Sequence, residues 1–354
     1  MRVRGLLVVC SIVAGAIAAA GQTPPANRPP ATGPAVEFRS GTRIVEITLS
    51  ATTPPKPFAL RDWIHPPVVD LEARDLRVFD NGAEQTIASF EKIGGAAPAR
   101  NGVSIAGDDS GARQARAAII VLFDGLDTPI RDQFAGHDGI AKMLDRFPPE
   151  TRIALLGMDE DFRVLQDFSF DRKALRAAIY KYERDYPVYA YSDGPMPFGT
   201  PFPMMDGMTR IAKSVDALKQ LARLAGNVRG RKNVLWVSGG FPLRAFPGET
   251  MKGVRELVAA NVALYPVNPQ GLLPVNTDDL RELAALTGGK AFYGSNDVTD
   301  MAEAAVKSLA DGYVLSFVPT GYREDGSFHE LRVETSRRNV ELHYRMGYVA
   351  DPSK

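Results

Sequence analysis

Cysteine is all but missing from this chain. Its 354 residues include one, Cys10, which lies in an N-terminal apolar stretch. Arg2 and Arg4 precede that stretch, and Leu6 to Ala20 closes in Ala18-Ala19-Ala20, an A-x-A cleavage pattern. The pattern predicts an export signal over residues 1–20, too short for a membrane span of roughly 20 apolar residues. Val9 in front of Cys10 argues against acylation of that cysteine, because a small residue is expected there. Cleavage after Ala20 leaves no thiol, so the mature chain has neither disulfides nor Cys-ligated zinc, and a chain of this size can rely on its core. A second long hydrophobic span is also lacking, so no stable membrane insertion is expected once the signal is removed. The expected location is periplasmic or extracellular.

Histidine is scarce and scattered, at His65, His137, His329 and His343, with no pair at metal-ligand spacing. A charge excess is lacking too, since 42 Lys and Arg balance 42 Asp and Glu. No overall field favours nucleic acid or anionic lipid. The basic turn Arg229, Arg231 and Lys232 is explained as compensation of a helix dipole. No Walker motif occurs, and Asp124-Gly-Leu-Asp after the first buried strand is not a dinucleotide fingerprint.

What is present is one dominant apolar run, Ala117-Ala-Ile-Ile-Val-Leu-Phe-Asp-Gly-Leu-Asp-Thr128. A run without polar alternation fits a strand buried on both faces of a parallel sheet. Ligands of such sheets bind beyond the carboxyl ends of the strands, which makes Asp124, Asp127 and Thr128 candidate site residues. Downstream, helical spacing over 131–147, 171–184, 208–225, 249–261, 278–287 and 298–310 alternates with apolar runs at 152–158, 233–237 and 262–267, and a short strand is expected at 291–293. Phe162 to Phe168 reads as an edge strand after a tight turn. This alternation defines an α/β class. Residues 43–49, 76–79 and 85–90 have strand character, the last two around Asn81-Gly82, a hairpin signal. Residues 313–318, 329–334 and 340–344 do as well, and they are expected to pack with the N-terminal strands. The expected organisation is a signal at 1–20, a Pro-rich disordered tether at 21–35, a β module at 36–93, a linker at 94–113, the α/β domain at 114–311 and β strands at 312–350.

Leu76-Arg-Val-Phe-Asp-Asn-Gly82, Gly230-Arg-Lys-Asn-Val-Leu-Trp-Val-Ser-Gly-Gly-Phe-Pro242, Val262-Ala-Leu-Tyr-Pro-Val267, Leu286-Thr-Gly-Gly-Lys-Ala-Phe-Tyr293 and Arg345-Met-Gly-Tyr348 together resemble the bacterial (acidobacterial-type) von Willebrand factor A-related domain proteins. The resemblance spans about residues 68–350. It implies a Rossmann-like, mostly parallel sheet with helices on both faces, flanked by N- and C-terminal β segments. It also implies binding of another protein or an envelope or extracellular polymer, with adhesion rather than catalysis as the role.

Many such domains carry a metal-ion-dependent adhesion site for Mg²⁺, or alternatively Mn²⁺ or Ca²⁺. The first motif of that site is Asp-x-Ser-x-Ser, because a hard cation takes oxygen ligands. Asp124 matches its first position and Thr128 its last. Leu126 stands where the middle hydroxyl belongs, and Asp127 is an extra carboxylate beside it. Thr209, or Ser214 in another register, matches the expected threonine, and Ser238 stands where an Asp is expected. The metal candidates are therefore Asp124, Asp127, Thr128, Thr209 and Ser238. The competing reading has Asp124 and Thr128 capping the turn or the next helix with no metal. A second candidate surface is the stretch 186–208, with Tyr189, Tyr191, Phe198, Phe202, Met204 and Met205 as partner-binding residues, or else as a flap over their own domain. A metal-free structural scaffold of the cell envelope is the alternative to a binding role. A hydrolase using Asp124 or Ser238 is disfavoured, because Trp236 replaces the first Gly of Gly-x-Ser-x-Gly and no histidine is adjacent in sequence.

Overall fold

The computed structural model describes residues 43–54, 66–93, 118–185, 207–228, 230–244, 247–274, 277–310 and 312–350. All of them fall in one unit, Ser40–Lys354. The chain opens with strands β1 (Val45–Thr52), β2 (Leu76–Asp80), β3 (Ala83–Gln85) and β4 (Ile87–Lys92). Asn81 and Gly82 join β2 to β3 with φ of 47° and 82°. Positive φ at both positions gives the turn the twist that a two-residue hairpin requires, and Gly82 adopts it without a Cβ penalty. The second strand expected over 85–90 is divided. β3 pairs with β2, whereas β4 leaves for another sheet, so one apolar run serves two layers.

The dominant apolar run becomes β5 (Ala118–Asp124), buried along its whole length. It pairs in parallel with β6 (Arg152–Met158) on one side and β8 (Lys232–Val237) on the other. β7 (Phe162–Ser169) closes one edge antiparallel to β6, and β9 (Val262–Val267) lies beyond β8, giving the order β7-β6-β5-β8-β9. Because side chains alternate along a strand, Ile119, Val121 and Phe123 enter one core and Ile120 and Leu122 the other. The first core takes Ile140 from α1 (Ile130–Met143), Leu175 and Ile179 from α2 (Arg172–Asp185) and Met301 from α6 (Val298–Ala310). The second takes Leu218 from α3 (Gly207–Gly226), Leu257 from α4 (Pro247–Ala259) and Leu283 from α5 (Thr277–Thr287). This is the mostly parallel, Rossmann-like sheet with helices on both faces that the sequence predicts. None of the helices among the described residues is long and apolar enough to cross a membrane.

Three details depart from the sequence expectations. Phe134 and Leu224, apolar residues within the segments of helical spacing 131–147 and 208–225, are 43% and 40% exposed rather than buried. The expected strand 291–293 is a single parallel bridge between Val267 and Phe292. The dipole explanation of the basic turn covers Lys232, whose Nζ donates to the Val228 carbonyl at 2.9 Å. It does not cover Arg231, which donates to the carbonyls of Gly288 at 2.6 Å and Thr48 at 3.5 Å. Arg229 lies outside the described residues, as do residues 1–35 and the whole of 94–113.

The tail supplies β10 (Tyr313–Phe317), β11 (Phe328–Thr335), β12 (Glu341–Tyr344) and β13 (Gly347–Val349). These interleave with the N-terminal strands in two four-stranded antiparallel sheets, β12-β1-β10-β4 and β13-β11-β2-β3. Ile47, Leu49, Val78, Leu315, Phe317 and Val333 fill the core that these strands share. The Arg231 contacts tie this β part to the α/β part, and Gly288, with φ of 79°, lies against the Arg345 backbone where a Cβ would collide.

Helix α2 begins with a side-chain cap. Asp171 Oδ1 accepts the backbone N–H of Lys173 at 2.9 Å and of Ala174 at 3.0 Å. Asp171→Ala is expected to lower stability by about 1 kcal/mol in urea unfolding, the usual value of an N-cap carboxylate.

Candidate functional site

The strand order reverses at β5, because β6 and β7 extend to one side and β8 and β9 to the other. The carboxyl ends of β5 and β8 are therefore the topological switch point, where open α/β sheets place their ligands. Asp124 ends β5, and Ser238 directly follows β8. The turn after β5 carries Asp127 and Thr128, and α3 starts at this same end of the sheet.

Within this end Asp124, Asp127, Thr128, Ser214 and Ser238 are all buried. Asp124 Oδ1 accepts the N–H of Leu126 at 2.9 Å and of Asp127 at 2.8 Å, an Asx turn that folds the loop back on the strand. Its Oδ2 lies 2.7 Å from Ser238 Oγ. Thr128 Oγ1 accepts the N–H of Gly239 at 2.9 Å, which joins the β5 loop to the β8 loop. Gln133 Nε2 donates to the Thr128 carbonyl at 2.7 Å and the Gly125 carbonyl at 3.2 Å. Asp127 turns to α3, where Ser214 Oγ donates to its Oδ2 at 2.6 Å and the Arg210 guanidinium is ion-paired with its Oδ1. A third carboxylate, Asp159, follows β6. It is held by Arg163 at 3.1 Å and by the hydroxyl of Tyr182 at 3.1 Å.

Ser238 has one hydroxyl hydrogen, yet Asp124 Oδ2 at 2.7 Å and the Gly240 carbonyl at 2.6 Å are both within reach. Ser238 Oγ therefore shares its one hydrogen between these two acceptors and itself accepts the Gly240 N–H at 3.2 Å. Burial, followed by the nearby Asp127 charge, pushes the Asp124 carboxyl well above the usual range. Burial also raises Asp127, to about 6, with the charge of Arg210 and the Ser214 bond offsetting part of that rise. The site thus holds a buried Asp124 carboxyl bonded to Ser238 and an Asp127–Arg210 ion pair.

The site therefore gathers Asp124, Asp127, Thr128 and Ser238 in one bonded network. The helix hydroxyl that reaches Asp127 is Ser214; Thr209 is exposed in the first turn of α3. Leu126 is 2% exposed and packs in the second core, so it offers no oxygen and no opening. Arg210, Gln133 and Asp159 were not legible as site residues. The signal for Arg210 was its place four residues before Ser214, one turn along a single helix face. Tyr189, Tyr191, Phe198, Phe202, Met204 and Met205 lie outside the described residues.

A divalent ion would require a near-octahedral set of available oxygens. Here each oxygen of Asp124 and Asp127 accepts a bond from the protein, and a guanidinium stands against Asp127. No group of three or more His, Cys, Asp or Glu among the described residues is arranged to hold an ion. As placed, the residues do not fit a metal. Ser238 Oγ is fully buried, and it is bonded to a carboxyl and a carbonyl rather than to a histidine. Of the other histidines described, His329 pairs with Asp80 at 2.7 Å and His343 with Thr52 at 3.0 Å, both in the β part.

No protein-family model matches this chain, and no curated protein does. Solved structures similar to it include a von Willebrand factor type A protein from Catenulispora acidiphila, 9% identical over 90% of this chain and 76% of that one, with a TM-score of 0.38. The manganese-loaded TRAP protein of Plasmodium vivax is 12% identical over 66% of this chain and 95% of that one, with a TM-score of 0.37. The VWA domain of SpRpn10 is 16% identical over 52% of this chain and 93% of that one, with a TM-score of 0.35. The α/β class of this chain rests on its own strand order and register.

Proposed function

We propose that the protein is an exported binding protein that engages another protein, or an envelope or extracellular polymer, through the carboxyl end of its central sheet. The observation that carries this reading is the exposure of large apolar side chains there. Leu273 and Leu272, just beyond β9, are 91% and 59% exposed, and Met208, at the start of α3, is 62% exposed. Exposed leucines on a loop held by a rigid scaffold are suited to docking, since they release water on contact and require little reordering. The loop is anchored, with Asn268 Nδ2 donating to the Gly239 carbonyl at 3.3 Å and Asn268 Oδ1 accepting the Gln270 N–H at 2.9 Å. The fold family suggested by the sequence motifs supports a binding role, and the N-terminal signal pattern supports export.

The test is capture of partners by the immobilised full chain and by a Leu272→Asp/Leu273→Asp variant. Proteins or polymers retained by the wild type are expected to be lost from the variant by tenfold or more, with an unchanged melting temperature, because both side chains already face water. Equal retention by the two overturns the reading. A structural envelope scaffold is the second reading. It is favoured by a polar network whose oxygens are satisfied within the chain, and it predicts that the double substitution changes nothing.

A further inference from the structure

We propose that the Arg210 guanidinium is the resident cation of this site, standing where a divalent ion would otherwise neutralise the carboxylates, so that the site is complete without metal. The inference stands whether or not this end of the sheet is the docking surface.

Three observations carry it. The first is the ion pair of Arg210 with Asp127, whose side chains are 15% and 2% exposed. A carboxylate so buried needs a positive charge against it, and arginine keeps its charge under burial better than any other side chain. The second is the shape of the surrounding bonds. Ser214 Oγ donates to Asp127 Oδ2 at 2.6 Å and Ser238 lies 2.7 Å from Asp124 Oδ2, so the hydroxyls that would face an ion face the carboxyl groups instead. The third is repetition. Asp159, another carboxylate at this end of the sheet, is also matched by an arginine, Arg163 at 3.1 Å. Two of the three carboxyl groups here thus have a guanidinium of their own, and a fixed cation cannot be lost to a chelator. Binding by this end of the protein is accordingly independent of divalent ions.

The experiment uses the full chain stripped with chelator and then titrated with Mn²⁺, following both the melting temperature and the fraction of bound Mn²⁺ by electron paramagnetic resonance. An ion that binds only the folded state raises the melting temperature once its concentration passes its dissociation constant. The wild type and Arg210→Lys are expected to show no rise and no bound ion at millimolar Mn²⁺. Arg210→Ala is expected to melt lower and to regain about 5 °C at saturating Mn²⁺, with one ion bound. That gain should vanish in Arg210→Ala/Asp127→Asn. If Arg210→Ala does not fold, Arg210→Gln, which keeps most of the side-chain volume without the charge, takes its place. A saturable rise in the wild type that disappears in Asp127→Asn overturns the proposal, since the ion would then displace the guanidinium. A flat response in the charge-removed variant overturns it as well, because a position that takes a cation should accept a substitute.

Discussion

Asp127→Ala is expected to lower folding stability by about 3–5 kcal/mol at neutral pH, the usual consequence of removing one member of a buried ion pair. The loss comes less from the missing attraction than from what remains. Arg210 keeps its charge in a site where its side chain is 15% exposed, and Ser214 loses the acceptor at 2.6 Å. The double variant Asp127→Leu/Arg210→Met removes both charges while keeping volume, and it is expected to recover most of that loss. The coupling between the two positions should therefore be a large fraction of the single-site effect. Asp124→Asn behaves differently. An amide can accept the N–H groups of Leu126 and Asp127 through its oxygen and keep a hydrogen bond with Ser238 through its nitrogen, and it brings no charge into the buried site. Its cost should stay within about 1 kcal/mol. Urea unfolding of these variants at pH 7 checks the set. A loss below about 1 kcal/mol for Asp127→Ala contradicts the buried ion pair, and a loss for Asp124→Asn as large as that for Asp127→Ala means that the amide does not replace the Asp124 carboxyl in its bonds.

That contrast between two aspartates three residues apart marks the limit of what the sequence discloses. The apolar run of β5 announces a strand buried on both faces, and its last residue is legible as the mouth of a site from the architecture alone. The alternation of the later segments gives the helices, because burial of one stripe per helix is written in spacings of three and four. Asn81-Gly82 gives the hairpin through its backbone geometry. The division of the next apolar run between two sheets is not legible, since β3 and β4 have the same strand character and differ in their partners. Arg210 is hidden for a related reason. Nothing in its neighbours marks it as buried, and its role appears only once α3 starts at the carboxyl end of β5. A motif comparison finds the oxygen positions and has no place for an internal cation. The leucines at 272 and 273 escape notice too, since a short apolar pair in a loop resembles core until its surroundings are known.

In the first core of the α/β part, His137 sets an acid limit on the fold. Its ring is buried in α1, edge-on to Phe123 at 4.8 Å and 5.5 Å from Tyr182, and its Nδ1 has no hydrogen-bond partner among the described residues. Burial lowers its pKa from 6.5 to about 4, because the imidazolium has neither water nor a carboxylate to stabilise it there. The folded state therefore keeps His137 neutral while the unfolded chain takes up a proton between those two values. Stability is complete above about pH 6.5 and falls as the pH drops towards 4, by about 3 kcal/mol for the whole window. Carboxyl groups raised by burial, Asp124, Asp127 and Asp132, act in the opposite direction. Each binds a proton more readily when folded, so each contributes stability as the pH falls. A wild-type profile sums all of these, and the His137 share is isolated by subtracting the profile of His137→Leu. That variant removes the titrating ring and the unpartnered nitrogen while filling much of the same volume. The difference in unfolding free energy between the two proteins is expected to be flat from pH 7 to 8 and to shift by about 3 kcal/mol in favour of the variant by pH 4. Parallel profiles across that window would mean that His137 protonates within the folded protein, and hence that Phe123 and Tyr182 leave it open to water.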